Sequence, residues 1–281
     1  MKFASYRQAG NQGWGAVVGN CVRALGAIAP TLCEAIARGK LPRTEQEVPR
    51  SAPALSLDQI QLLPPIPDTG RIFCVGLNYA DHQQETGRRP TEQPVIFVRF
   101  AQSVVGHGDA LSAPPESETY DFEGELAVVI GKPGRRIPEA AALSHVAGYA
   151  CFMDGTIRAW QMHTNQYTPG KNFDRSGGFG PWLVTPDEVG DPQAGLRLQT
   201  RLNGQVVQQT NTNLMLFPVP VVIAYLSAFT ALEPGDVIAT GTPAGVGFKR
   251  TPPLYMRSGD RIEVEIERLG LLANPVQADA G

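Results

Sequence analysis

Residues 126–130, Leu126-Ala127-Val128-Val129-Ile130, are apolar at every position, so a strand here must be covered on both faces. Bounded by Gly124 and Gly131, the run reads as a central, buried strand of five or so residues. Its approach restricts the chain further: Tyr120-Asp121-Phe122-Glu123-Gly124-Glu125 leads directly into it. Residues two apart in a strand share a face, so Glu123 and Glu125 present two carboxylates side by side where the strand enters the interior. Neighbouring ionised carboxylates repel and lose hydration there unless a cation or a donor compensates. A hard divalent metal would do so; a strand end open to water is the alternative. The chain supplies its own control. Glu263, Glu265 and Glu267 also alternate, but with Ile262, Val264 and Ile266 between them they make an ordinary half-buried strand with a solvated acidic face.

Asp154 is the candidate third oxygen ligand, because it ends a second apolar stretch, Val146-Ala147-Gly148-Tyr149-Ala150-Cys151-Phe152-Met153. The competing reading is an N-cap for a helix over residues 155–161. An all-carboxylate set selects Mg²⁺ or Mn²⁺ over zinc, which prefers His or Cys. His82 and Glu85, spaced i and i+3, share a face if residues 79–87 form a short helix. A carboxylate beside an imidazole raises its basicity and fixes its tautomer.

Composition removes several function classes. A formal net charge of -3 provides no basic stripe for nucleic acid. Residues 1–8 lack the apolar run of a signal peptide, and the longest apolar stretch, near residues 24–32, is broken by Pro30. The four cysteines, Cys21, Cys33, Cys74 and Cys151, show no CxxC spacing and read as free thiols. The expectation is a soluble cytoplasmic protein with neither membrane nor nucleic-acid partner. No Gly-x-Ser-x-Gly elbow and no phosphate-binding Gly-Lys-Ser/Thr loop is present.

The coarse reading is a mixed α+β, β-rich chain. Residues 1–66 are expected to form a small N-terminal α/β domain with a Pro-rich connector ending in Leu63-Pro64-Pro65-Ile66, and residues 67–281 the catalytic domain. Strands are expected at residues 14–18, 71–76, 95–100, 125–131, 146–154, 237–240 and 261–267. Asn203-Gly204 predicts a hairpin turn, residues 31–38 a short helix capped by Thr31, and residues 218–232 a helix with Val222, Leu226 and Phe229 on one face. No helix follows every strand, which argues against a doubly wound parallel sheet.

In order along about 170 residues, the chain carries Gly76-Leu77-Asn78-Tyr79-Ala80-Asp81-His82, Asp121-Phe122-Glu123-Gly124-Glu125-Leu126-Ala127-Val128-Val129-Ile130-Gly131-Lys132, and Gly148-Tyr149. These are followed by Gly170-Lys171-Asn172-Phe173-Asp174, Gly180-Pro181-Trp182, Leu232-Glu233-Pro234-Gly235-Asp236-Val237-Ile238 and Thr240-Gly241-Thr242-Pro243. The ordered set resembles the fumarylacetoacetate hydrolase family. The resemblance implies a fumarylacetoacetase-like β-roll core, a homodimer, and Glu123, Glu125 and Asp154 as ligands of Mg²⁺ or Mn²⁺. It further implies that Lys171 points into the site, that His82 and Glu85 sit on a lid, that Gln161 positions water or substrate, and that Thr242 meets a substrate carboxylate. Tyr79 and Arg158 join the expected substrate contacts. Many members carry Asp directly after that arginine, but Ala159 stands here, so Arg158 either pairs elsewhere or meets substrate.

The expected activity is metal-dependent hydrolysis of a carbon–carbon bond in a small anionic 2-oxo acid of the acylpyruvate or fumarylpyruvate kind, in aromatic catabolism. Isomerisation of a 2-hydroxydienoate or decarboxylation of a β-keto acid such as oxaloacetate is the alternative, and a non-catalytic metal-binding homologue a lesser one.

Overall fold

The computed structural model describes residues 1–279. A large mixed sheet runs, in spatial order, through strands Ala54–Ser56, Cys21–Ala24, Asn11–Val18, Lys2–Gln8, Gly177–Val184, Val146–Met153, Gly124–Ile130, Val237–Ala239, Ile72–Gly76 and Val95–Arg99. Two short strands, Gln61–Leu62 and Val104–Val105, pair beside this path. A second, five-stranded sheet comprises Gln205–Asn211, Arg197–Leu202, Arg261–Ile266, Gly270–Ala278 and Leu111–Ala113. The N-terminal strands join the large sheet directly, because Lys2 and Phe3 pair with Val184 and Leu183.

The strand Gly124–Ile130 is buried at every position, and its two faces serve two cores. Leu126, Val128 and Ile130 pack with Leu198, Ile262 and Val264 of the second sheet and with Val222 and Leu226 of the helix Val219–Phe229. Ala127 and Val129 pack on the other side with Phe3, Trp14, Phe152 and Phe179. This two-sided burial is why the strand tolerates no polar alternation.

Local expectations hold where the signal is local. Asn203 and Gly204 both adopt positive φ in a tight turn between antiparallel strands. Thr31 accepts a hydrogen bond from the Glu34 backbone and caps the helix Leu32–Ala37. The helix expected over residues 155–161 is confined to Arg158–Gln161. Thr156 and Ile157 instead pair with Asp121 and Tyr120 as a two-stranded ribbon, so backbone pairing displaces the helical start. Among the described residues no helix is long and apolar enough to cross a membrane, and the four cysteines are unpaired.

Candidate metal centre

Register brings the three carboxylates together. Gly124 lies opposite Met153 and Glu125 opposite Phe152 on the antiparallel neighbour. The next residues outward are therefore Glu123 and Asp154, joined by a hydrogen bond from the Asp154 amide to the Glu123 carbonyl, 2.8 Å. Glu123, Glu125 and Asp154 are all buried and offer ligand oxygens within 4.8 Å of one another. Asp154 caps no helix. Its Oδ1 accepts from Arg99 Nη1 at 2.6 Å, and its Oδ2 from Lys171 Nζ at 2.5 Å.

Three buried cations surround the triad. Lys171, at the end of the short helix Thr168–Lys171, is 1% exposed and donates also to Glu123 Oε2 at 2.6 Å. Arg158 answers the question raised by Ala159: its Nε donates to Asp121 Oδ2 at 2.8 Å and its Nη1 to Gln161 Oε1 at 2.9 Å. Its Nη2 sits 2.6 Å from Glu123 Oε1, an ionic contact whose N–H direction is not aligned for a hydrogen bond, so donor capacity is left over. The guanidinium also stacks over Phe248, 4.3 Å from the ring centre.

Burial alone would raise the Glu123 carboxyl, but Lys171 and Arg158 outweigh it and hold it at about 2. Glu125 moves the other way. Burial first, then the negative charges of Asp154 and Glu123, push it well above the usual carboxylate range, against the pull of Lys171 and a hydrogen bond from the Gly241 amide. Lys171 is raised: burial disfavours its charge, yet Asp154 and Glu123 overcome that. The ammonium therefore stays protonated.

Above this floor opens a cavity of about 820 Å³ whose wall includes His82, Glu123, Glu125, Arg158, Lys171 and Thr242. Gln161 also lines it. His82 lies on the helix Ala80–Thr86, 5% exposed, with Nδ1 3.5 Å from Glu85 Oε2. At that separation the pair is juxtaposed without a firm hydrogen bond. Glu85 is anchored on its other oxygen by the Gly245 amide at 3.0 Å. Its carboxyl is lowered: burial raises it, but His82 and the backbone donors prevail. Thr242 donates its hydroxyl proton to the Gly124 carbonyl and accepts from Gln208, so toward the cavity it offers a lone pair only. Tyr79 stands outside the cavity wall, 1% exposed, with its hydroxyl unpartnered.

Two residues that carry this arrangement escape sequence reasoning. Arg99 closes an apolar strand, where an arginine ordinarily reads as solvent-facing. Instead it is wholly buried against Asp154. Asp121 lies in the quoted motif at the same parity as Glu123 and Glu125, which was the available signal. It accepts from Arg158 and from the amides of Gly247 and Phe248, tying that loop to the floor. Four buried carboxylates thus face three buried cations, with Arg99 and Arg158 beside Lys171.

Comparison with known proteins supports this reading. The sequence profile described as Fumarylacetoacetate (FAA) hydrolase C-terminal matches residues 71–277. The chain is 41% identical over 253 residues to the mitochondrial oxaloacetate tautomerase Fahd2a of Rattus norvegicus, spanning 89% of this chain and 80% of that protein. It superposes on the fumarylacetoacetate hydrolase of Exiguobacterium antarcticum with a TM-score of 0.87 and 38% identity, covering 99% of this chain and 100% of that one. A maleylpyruvate hydrolase from Sphingobium sp. SYK-6, in complex with manganese(II) and pyruvate, gives a TM-score of 0.81 at 29% identity, again over 99% and 100% of the two chains. A profile spanning well over half of the chain and a relative at this identity agree with the β-rich fold, and the chain belongs to the fumarylacetoacetate hydrolase family.

Proposed function

We propose that the chain catalyses keto–enol interconversion of a small 2-oxo dioic acid, with oxaloacetate as first candidate and Mg²⁺ or Mn²⁺ as cofactor. The observation that carries the reading is the charge of the buried floor. With a divalent ion bound and all four carboxylates ionised, the three cations and the ion leave the floor one net positive charge. Such a floor suits a substrate anion that gains enolate character as it reacts. The tautomerase relative supports the choice of substrate and favours this class over the hydrolysis expected from the motifs.

The donor set fits a hard divalent ion, being three buried carboxylates with no His or Cys among them. When bound, the ion supplies polarisation of the 2-oxo group, which lowers the cost of enolate charge. The remaining chemistry falls to the chain's own side chains. His82, backed by Glu85, takes a proton from the carbon beside the 2-oxo group. Lys171 steadies the oxygen that gains charge, and the spare Nη2 donor of Arg158 binds a carboxylate. Return of the proton to oxygen completes the exchange of one C–H for one O–H bond. Gln161 and Thr242 are proposed as substrate contacts at the wall, whereas Tyr79, buried outside it, is not.

Enol decay of oxaloacetate, followed in ultraviolet absorbance with and without EDTA, tests this reading. Acceleration that needs both the metal and His82, without matching release of pyruvate, supports it. Metal-dependent cleavage of acetylpyruvate in its place would move the assignment to hydrolysis, which the 29% identical maleylpyruvate hydrolase keeps as the second reading. Pyruvate release from oxaloacetate at the same rate as enol loss would indicate decarboxylation. A homodimer is also proposed, because Phe100 and Phe229 are more than half exposed and Leu216 is 42% exposed. Light scattering that gives a monomer mass would remove it.

A further inference from the structure

We propose that Arg99 is a positioning residue that leaves Asp154 a single oxygen for metal. Together with matching blocks on Glu123 and Glu125, it makes the centre select a six-coordinate Mg²⁺ or Mn²⁺ against Ca²⁺. The inference rests on the metal-centre reading above and extends it to Arg99.

Each carboxylate of the triad has one oxygen faced by a buried donor or cation. Asp154 Oδ1 receives Arg99 Nη1 at 2.6 Å. Glu123 Oε1 is covered by Arg158 Nη2 at 2.6 Å. Glu125 Oε2 accepts from the Gly241 amide at 2.8 Å. The oxygens left for an ion are Asp154 Oδ2, Glu123 Oε2 and Glu125 Oε1, one per residue. Lys171 donates its ammonium to the first two, the contact that an ion would replace.

The Arg99 block cannot turn aside. Its side chain has no exposure, and every N–H group of the guanidinium edge is engaged. Nε donates to Ser103 Oγ at 3.1 Å, Nη1 also to the Gly155 carbonyl at 2.8 Å, and Nη2 to the Ser103 carbonyl at 3.1 Å and Ser176 Oγ at 2.8 Å. Releasing Oδ1 for a second metal bond would leave a buried guanidinium without its charge partner, which is strongly unfavourable. Ca²⁺ takes six to eight oxygens and often grips carboxylates with both, whereas Mg²⁺ is strictly octahedral with shorter bonds. Three one-oxygen ligands plus water or substrate complete an octahedron but leave Ca²⁺ short of protein oxygens.

The test is a Mn²⁺ titration of EDTA-stripped, dialysed protein by electron paramagnetic resonance, with Mg²⁺ and Ca²⁺ as competitors. Wild type is expected to release Mn²⁺ to Mg²⁺ at lower concentrations than to Ca²⁺. Arg99→Met frees Oδ1 and is expected to shift the Ca²⁺/Mg²⁺ preference toward Ca²⁺ by about tenfold, the scale on which outer partners of metal ligands act. Arg99→Lys keeps a charge on Oδ1 but loses the fork, and Ser176→Ala loosens the fork without touching Asp154. Both are expected to shift the ratio in the same direction by less. If Arg99→Met does not fold, these two decide, because a merely structural arginine would lower the melting temperature without moving the ion ratio. An unchanged ratio in folded variants overturns the role of Arg99. Wild type that binds no Mn²⁺ overturns the metal centre itself, so the two failures are distinct.

Discussion

Gly124, between the two glutamates, is the position at which packing and the candidate metal centre are most tightly joined. Its side of the strand faces the second sheet, and a Cβ placed there would stand 2.0 Å from Thr200 Oγ1 and 3.4 Å from Thr200 Cβ. Ordinary carbon contacts begin near 3.5 Å, so Gly124→Ala demands a separation of roughly 1.5 Å between the sheets or a rotation of Thr200. Rotation is opposed because Thr200 is β-branched and fully buried. Sliding of the strand is opposed too: the Gly124 amide donates to Gln208 Oε1 at 2.9 Å and its carbonyl accepts from Thr242 at 3.1 Å. Overpacking of this kind costs about 1–3 kcal/mol. Because Glu123 and Glu125 flank the glycine, the same movement displaces two ligands beyond the ~0.2 Å tolerance of a metal site. Thr200→Ala removes the obstructing oxygen, an atom that has no hydrogen-bond partner. The double variant is therefore expected to recover the stability and Mn²⁺ affinity of Thr200→Ala alone, a coupling of about 1–3 kcal/mol. Urea unfolding of the four proteins, with Mn²⁺ titration of each, measures it. Additive losses, or a neutral Gly124→Ala, would refute the argument.

Three further outcomes follow from the same geometry. Lys171→Met removes a cation that shares two oxygens with the ion, so Mn²⁺ should bind more tightly while turnover falls by about 100-fold or more; weaker binding in that variant would show that Lys171 does not compete. Metal binding should release a proton, because Glu125, facing Glu123, Asp154, Lys171 and the Gly241 amide, is raised without metal and must ionise to ligate. Mn²⁺ affinity should then fall by up to about tenfold per pH unit as pH drops below that raised value, with proton release visible as buffer-dependent calorimetric enthalpies. In the metal-free protein stability runs the opposite way with pH: a carboxyl raised by folding contributes stability at low pH that is lost as pH rises through its folded value. Asp121→Asn should cost about 3 kcal/mol and slow turnover, since Arg158 loses its buried partner and the Gly247 and Phe248 amides lose a charged acceptor; chemical denaturation with stability unchanged would count against the anchor.

What could be read from the chain is what repeats at short range. Period-two alternation placed Glu123 and Glu125 on one face, and unbroken apolarity from Leu126 to Ile130 announced a strand buried on both sides. Asn203-Gly204 and Thr31 acted through their own backbone neighbours, so their turn and cap were legible. The start of the helix at Arg158 was not, because Thr156 and Ile157 found strand partners more than thirty residues away. Likewise nothing near Arg99 in sequence distinguishes a buried clamp from a solvated charge, and the parity of Asp121 with Glu123 and Glu125 does not name its partner. Their partners Asp154 and Arg158 lie 55 and 37 residues along the chain. Sequence periodicity determines which faces are apolar and which residues share them, since it is a property of the local backbone. Which charges meet across those faces depends on strand order and register. That is why the two glutamates on one face could be anticipated, while Arg99 and the partners of Arg158 awaited the folded chain.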